Sequence, residues 1–485
     1  MLRTIRVILA TLCLAGICLL FVDVSGELSP SLAVLARMQL VPALLAGSLG
    51  VVAGLLALTL VFGRVYCSVL CPLGVLQDVI AARGKKYRFR YAPPRTGLRL
   101  FVLGTFVLAL LAGVPLVFAI LEPYSAFGRI ATDLLAPIWA TGSNALAWAS
   151  ERAGNYDVAP TPVWQKGMAA LTAATATLAV IGVLAWRLGR TWCNTLCPVG
   201  TVLGLLSPLA LIRPRLDMAK CANCGLCARR CKASCIDATS GTIDGSRCVS
   251  CFNCIGACRH SAISYVPTRR KPTDRPTRAT QPDPVRRSML AAAIGLAAPV
   301  PALARSRDKS VPALVRKQGP ERQTPITPPG SRSLRAFSAR CTGCQLCVSA
   351  CPNQVLKAFD IGSGMLQPTL AFERGYCRVN CVQCSTVCPT GAIRPISAAE
   401  KTATQIGRAV VNLDRCIATT DKVACTACAR NCPPRAITLV GKDDEPKKPV
   451  VDAERCNGCG ACEYVCPARP LAAIHVEGNL EHRRI

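Results

Sequence analysis

A bundle of four membrane-spanning helices, with a candidate fifth, followed by small α+β modules wrapped around cysteine loops, is the fold class the sequence predicts. Three observations predict it. The first half holds four apolar stretches, each long enough for a helix to cross about 30 Å of hydrocarbon. Basic residues crowd one connection between them and are sparse in the next. The 31 cysteines of the 485 residues fall almost entirely into repeated short-spaced runs.

The stretches are Ile5–Val22, Leu40–Phe62, Leu98–Leu121 and Met168–Trp186. A cleaved signal peptide is the rival reading of the first; its apolar run is long and no clear A-x-A site closes it, which favours an anchor. The connection Gly63–Arg99 carries Arg64, Arg83, Lys85, Lys86, Arg88, Arg90, Arg95 and Arg99, whereas Glu122–Lys166 carries only Arg129, Arg152 and Lys166. The positive-inside rule then puts the first connection, the N-terminus and the segment after Trp186 in the cytoplasm, and the second connection outside. The formal charge of +30 fits basic loops on apolar spans. Nucleic-acid binding is set aside, because the arginines sit beside apolar stretches and aromatic residues are few.

Inside this membrane domain, 1–212, is a repeat. Gly63-Arg-Val-Tyr-Cys67-Ser-Val-Leu-Cys71-Pro-Leu-Gly74 matches Gly189-Arg-Thr-Trp-Cys193-Asn-Thr-Leu-Cys197-Pro-Val-Gly200, and each copy follows an even-numbered span. The spacing sets both thiols of a copy on one helix face. If the copies meet, Cys67, Cys71, Cys193 and Cys197 converge as a further metal centre or a redox-active thiol site; packing at a pseudo-symmetric helix interface is the plainer reading. Cys13 and Cys18 read as small apolar residues in the first span.

A secreted disulfide protein would be shorter and would lack such runs, so the remaining cysteines point to metal. Cys221-x2-Cys224-x2-Cys227-x3-Cys231 and Cys248-x2-Cys251-x2-Cys254-x3-Cys258 have the spacing of bacterial dicluster ferredoxins, in which one loop gives three ligands and the partner motif the fourth. Zinc rarely uses paired runs of this kind. The module 213–266 then holds two [4Fe–4S] clusters, one on Cys221, Cys224, Cys227 and Cys258, the other on Cys248, Cys251, Cys254 and Cys231. Cys235 keeps the choice of that last ligand open. A basic linker, 267–335, follows; within it 286–304 opens on Arg286-Arg287 and runs apolar, like an internal twin-arginine signal.

The C-terminal region repeats the logic in two modules, 336–397 and 398–485. Swapped fourth ligands group Cys341, Cys344, Cys347 and Cys388; then Cys377, Cys381, Cys384 and Cys351; then Cys416, Cys425, Cys428 and Cys466; then Cys456, Cys459, Cys462 and Cys432. Six clusters use 24 cysteines. Short strands, Ala436–Val440 and Ala472–Val476, are expected after the motifs. No histidine lies in a span, which excludes bis-histidine haem there, and no Gly-rich dinucleotide motif speaks for NAD or flavin. His260 and His475 read as exposed residues near clusters. A one-electron wire anchored in a membrane without haem points to quinol, and hence the quinone pool, as the donor. Glu122, Tyr124 and Arg129 at the outer end of the third span, and Asp78 after the first repeat, are candidates to receive its protons, with ordinary interfacial roles as the alternative.

With these motifs in place, residues 1–265 resemble the NapH type of membrane ferredoxin, of the wider NapH/NosR/CcoG group, and residues 286–478 resemble the NapG type of exported polyferredoxin. The resemblance implies a quinol dehydrogenase module in a bacterial inner membrane. It would have a cytoplasmic 213–266 module, a periplasmic 336–485 region and a downstream extracytoplasmic (nitrate-type) reductase or cytochrome subunit as partner. The fusion itself, the lack of proline after Cys231 and Cys258, and Cys235 depart from that pattern. A redox or metal maturation factor of the CcoG type and a membrane redox sensor are the alternatives.

Overall fold

The computed structural model describes the chain except residues 24–28, 85–88, 162, 165, 268–316, 361–363 and 442–445. The twin-arginine-like segment 286–304 therefore lies outside the described residues.

Two helices are long and apolar enough to cross a membrane, Leu2–Val22 and Met168–Leu188, each of 21 residues. The other two expected spans are broken. The stretch 40–62 forms Leu40–Leu45 and Leu49–Phe62, and the stretch 98–121 forms Thr96–Leu111 and Pro115–Leu121. Both breaks are Schellman turns. Gly47 and Gly113 take φ of +74° and +68°. The next residue's N–H then reaches back five residues, Ser48 to the Ala43 carbonyl at 2.9 Å and Val114 to the Ala109 carbonyl at 2.9 Å. Pro115, with no N–H to give, opens the following helix. Hydropathy averages over such turns, which is why the sequence reads each stretch as continuous.

The small modules behave as two bodies. In the first, Ile212–Leu216 pairs antiparallel with Ile263–Pro267, closing the cysteine loops between them. In the second, Leu356–Ala358 pairs with Pro368–Leu370, Ile437–Val440 with Lys448–Val451, and Thr404–Val411 with Ile474–Arg484. The last strand starts at Ile474 rather than Ala472 and continues well past Val476. Residues 317–335, expected as linker, fold onto this body: Gln318 N–H donates to the Pro470 carbonyl at 2.8 Å, and Arg322 pairs with Glu463 at 2.6 Å.

The helices join the bodies at opposite ends. The N-terminal end of Leu2–Val22 carries Arg6, whose guanidinium pairs with Asp78. Asp78 also takes Arg190 at 2.6 Å and Lys232 of the 213–266 module at 2.7 Å. At the other end, the Phe21 carbonyl accepts from Ser349 Oγ. The helix Met168–Leu188 repeats this arrangement. Near its start, Asp360 Oδ1 accepts from Ala169 N–H at 3.1 Å; just past its end, Arg190 N–H donates to the Lys232 carbonyl at 2.7 Å. At 1.5 Å per residue these helices hold the bodies about 30 Å apart.

Candidate metal centres

The cysteine loops share a backbone device. In four of them the residues on both sides of the second cysteine are left-handed: Asn223 and Gly225, Ser250 and Phe252, Gly343 and Gln345, Gly458 and Gly460. Successive N–H groups in such turns form a concave, electropositive surface suited to an anion. Only half of these positions are glycine, so the loops hold non-glycine residues in a strained conformation.

Five of the six expected sets of thiols come close together. One cavity is lined by Cys416, Cys425, Cys428 and Cys466, bringing the swapped cysteine beside the three of its partner loop across the nine-residue Cys416–Cys425 step. Another is lined by Cys248, Cys251, Cys254, Cys231 and Cys235. Elsewhere the mutual repulsion of the thiols reports their grouping. Cys347 is pushed well up by burial, then by Cys341, Cys344 and Cys388; Cys384 by burial, then Cys377, Cys351 and Cys381; Cys462 by burial, then Cys459, Cys456 and Cys432. Cys227 feels burial first and then Cys221 and Cys224, while Cys258 accepts from Ala262 N–H at 3.2 Å. Buried thiols so placed stay protonated on their own, and a cationic cluster core is what draws them out as thiolates. Among the described residues no group of three or more His, Cys, Asp or Glu is gathered for a single metal ion. The donor sets fit a polynuclear cluster instead.

Cys235 settles into a supporting position. Its N–H caps the Cys231 sulfur, as Ala262 caps Cys258 and Ala436 caps Cys432 at 3.3 Å. Its own sulfur lies 3.5 Å from that of Cys231, and this hydrogen bond leads in pulling Cys231 down to about 7 while Cys235 is pushed well up.

The two repeats meet face to face with twofold pseudo-symmetry. Arg64 Nη2 donates to the Cys193 carbonyl at 3.2 Å, and Arg190 Nη1 to the Cys67 carbonyl at 2.7 Å. A Cβ at Gly74 would strike the Cys67 carbonyl oxygen, and one at Gly200 that of Cys193. Cys67, Cys71, Cys193 and Cys197 are all buried here. Cys197 is pushed well up by burial and then by Cys193, Cys71 and Cys67. Gln77 Nε2 donates to the Cys193 sulfur at 3.3 Å. Sequence reading missed Arg64, Arg190 and Gln77, although both arginines stand inside the repeated motif.

The four residues expected near quinol do not form one site. Burial would raise the Asp78 carboxyl, but Arg190, Lys232 and Arg6 outweigh it and hold the group well below the usual carboxylate range. Asp78 ties the first helix, the second repeat and the 213–266 module together. Glu122, Tyr124 and Arg129 lie at the other end, against the C-terminal body. Glu122 caps the helix Pro123–Ile130 through the N–H groups of Tyr124 and Ser125. Arg129 Nη1 donates to the Ala119 carbonyl at 2.7 Å, while its Nε and Nη2 and the Tyr124 hydroxyl are buried without a partner. Tyr124 lies close enough to feel Cys344 and Cys388. A residue missed in the sequence joins them: Asp133, on the π-helical turn Ala131–Leu135, is raised to about 6 by burial against the pull of Lys166 and Arg129.

The chain matches the 4Fe-4S binding domain over residues 44–90 and 169–217, and the 4Fe-4S dicluster domain over 340–392 and 423–469. Each match of the first contains one cysteine repeat. The chain is 33% identical over 175 residues to the ferredoxin-type protein NapG of Escherichia coli (strain K12), covering 32% of this chain and 74% of that protein. It is 30% identical over 155 residues to the ferredoxin-type protein NapF of the same strain, covering 32% and 87%. Similarity of 30% over 162 residues to the methylamine utilization ferredoxin-type protein MauM of Methylobacillus flagellatus covers 32% and 69%. No solved structure matches the chain. Through these motifs and the third of its length so aligned, the chain belongs to the ferredoxin-type 4Fe–4S electron-transfer proteins that NapG, NapF and MauM represent.

Proposed function

We propose that the chain is a membrane-anchored quinol dehydrogenase module, a NapH-type membrane half fused to a NapG-type polyferredoxin, that feeds an extracytoplasmic reductase of the nitrate type. One observation carries the reading: the two ferredoxin-like bodies are tied to opposite ends of the same two membrane-length helices. Only 33% and 22% of the apolar windows of those helices are buried in the protein, so their outward faces call for lipid. The two broken helices complete the bundle. In this reading the 213–266 body faces the cytoplasm and the 317–485 body the periplasm of a bacterial inner membrane.

The six cysteine sets named above are the proposed cluster ligands. When bound, each [4Fe–4S] cluster supplies a one-electron centre. The chain contributes spacing, burial and hydrogen bonds. Cys377 N–H donates to the Cys459 carbonyl at 2.9 Å, holding the Cys377 and Cys456 sets side by side across the two C-terminal modules. Lys401 Nζ donates to the Arg378 and Cys381 carbonyls, each at 2.5 Å, placing a cation by that junction. Cys67, Cys71, Cys193 and Cys197 are the proposed place of a further centre on the cytoplasmic side.

The test is addition of a quinol analogue to the anaerobically purified, oxidised protein. Bleaching of the iron–sulfur absorbance is expected. Clusters that dithionite reduces but quinol does not would overturn the reading. The buried thiol quartet favours a second reading, a metal maturation factor; copper bound at those four thiols in a protein inert to quinol would select it.

A further inference from the structure

A cavity of about 300 Å³ lies where the outer end of the first helix, the helix Ala136–Arg152 and the loop 348–354 meet. None of the four sequence candidates for quinol lines it. Its wall is mixed, with Phe21, Trp139 and Trp164 among apolar side chains and Asp23, Lys166 and Ser349 among the polar ones. That size lies at the lower end of small-ligand pockets and suits a single substituted ring. Cys351, proposed above as a ligand with Cys377, Cys381 and Cys384, forms part of the same wall.

Two further features point to a ligand with a lipid-soluble tail. Along Ala136–Arg152, Ile138, Trp139, Leu146 and Trp148 are all more than half exposed. Exposed tryptophans mark the membrane–water interface; Trp139 shares one side of the helix with Leu146 and stands also in the cavity wall, whereas Trp148, nine residues on, is on the opposite side. Behind the cavity, one turn before Pro137, the π-helical turn carries Asp133, whose Oδ2 is buried without a hydrogen-bond partner among the described residues, as is Thr132 Oγ1. Single π-turns of this kind recur at functional sites. Asp133 interacts electrostatically with Lys166, so the polar end of the cavity is backed by a buried acid and base.

We propose that this cavity is the binding site for the ring of a lipid quinone, with the tail leaving past Trp139 along the exposed face of Ala136–Arg152. Lys166 is the donor to a ring oxygen, and the Cys351 loop forms the wall nearest the proposed ligand set. The proposal rests on the quinol reading above and adds its location. It also separates the roles of the neighbouring residues: Glu122, Tyr124 and Arg129 shape the wall between the cavity and the Cys344 loop without touching the ring.

The test is photolabelling of the full-length protein in lipid nanodiscs, with an azido-substituted decyl-benzoquinone as probe and peptide mapping as readout. Label is expected in 136–143, at Thr161, Val163, Trp164 or Lys166, and in 348–354, displaced by unlabelled decyl-benzoquinone and not by added phospholipid. Ala140→Phe and, separately, Ser143→Phe fill the space and should cut this label about tenfold at unchanged iron content. Label displaced by phospholipid alone would make the cavity a lipid seat and overturn the proposal. Label elsewhere, in a protein that decyl-quinol still reduces, would overturn the location and leave the quinol reading standing. No specific label and no reduction by quinol would remove both.

Discussion

At the scale of single residues, two thiols 3.5 Å apart have different work. Cys231 accepts the Cys235 N–H and is the proposed ligand; Cys235 stands at a position that alanine holds in the equivalent loops, its sulfur 3.5 Å from that of Cys231. Cys235→Ala should therefore keep the full complement of about 24 irons. It should lower the reduction potential of one cluster, because a hydrogen bond to a thiolate stabilises the more negative, reduced state. Cys231→Ala should lose about four irons. Iron analysis with a redox titration of both variants checks this, and loss of iron from Cys235→Ala would reverse the assignment. His482 offers a pH test in the C-terminal body. Burial brings its imidazole down to about 4, and Thr327 Oγ1 lies 2.8 Å from Nε2. In the folded protein the ring stays neutral, whereas in the unfolded chain it takes a proton near 6.5. Stability is thus fully present above about 6.5 and lost as pH falls toward 4. Between pH 7.5 and 5.5 the loss should be about 1 kcal/mol, allowing for partial exposure. Anaerobic thermal unfolding should show that slope reduced in His482→Gln.

At the scale of elements, the repeated twelve-residue motif makes an interface as well as a thiol pair. Each arginine crosses to the carbonyl of the other copy's first cysteine, and each terminal glycine leaves room for that crossing. A methyl group at Gly74 would meet backbone, which cannot swing aside. Gly74→Ala should cost about 1–3 kcal/mol and perturb the thiol quartet, and Gly200→Ala should do the same. Equal effects, read as loss of detergent-resistant folding and faster alkylation of Cys67 and Cys193, would verify the pseudo-symmetry; silence at both positions would deny it. The repeat was legible from sequence because it is a local pattern. The arginine crossing was not, since a motif shows which residues recur and not which copy they reach. The helix breaks at Gly47 and Gly113 escaped for a related reason: apolar composition is the same on either side of a Schellman turn, and only the backbone records it.

For the whole molecule, the arrangement makes a topological prediction. Protease added to intact spheroplasts should release fragments of the 317–485 body and spare the 213–266 body until lysis. Protection of both would place all the cluster sets on one side and remove the extracytoplasmic reductase from the proposal. The sequence by itself determined the iron–sulfur chemistry, because ferredoxin ligands come in short covalent spacings that survive in one dimension. It also determined which residues recur at the membrane face. Only the tertiary structure decided that Asp78 ties three cations together and that the Cys235 sulfur stands against that of Cys231. It alone shows the cavity beside Cys351. These are products of long-range packing. Arg6, Asp78, Arg190 and Lys232 are brought together from four separate segments, and the cavity wall comes from three. Local spacing carries no information about such meetings; they are set by how two membrane-length helices clamp a folded body at each end.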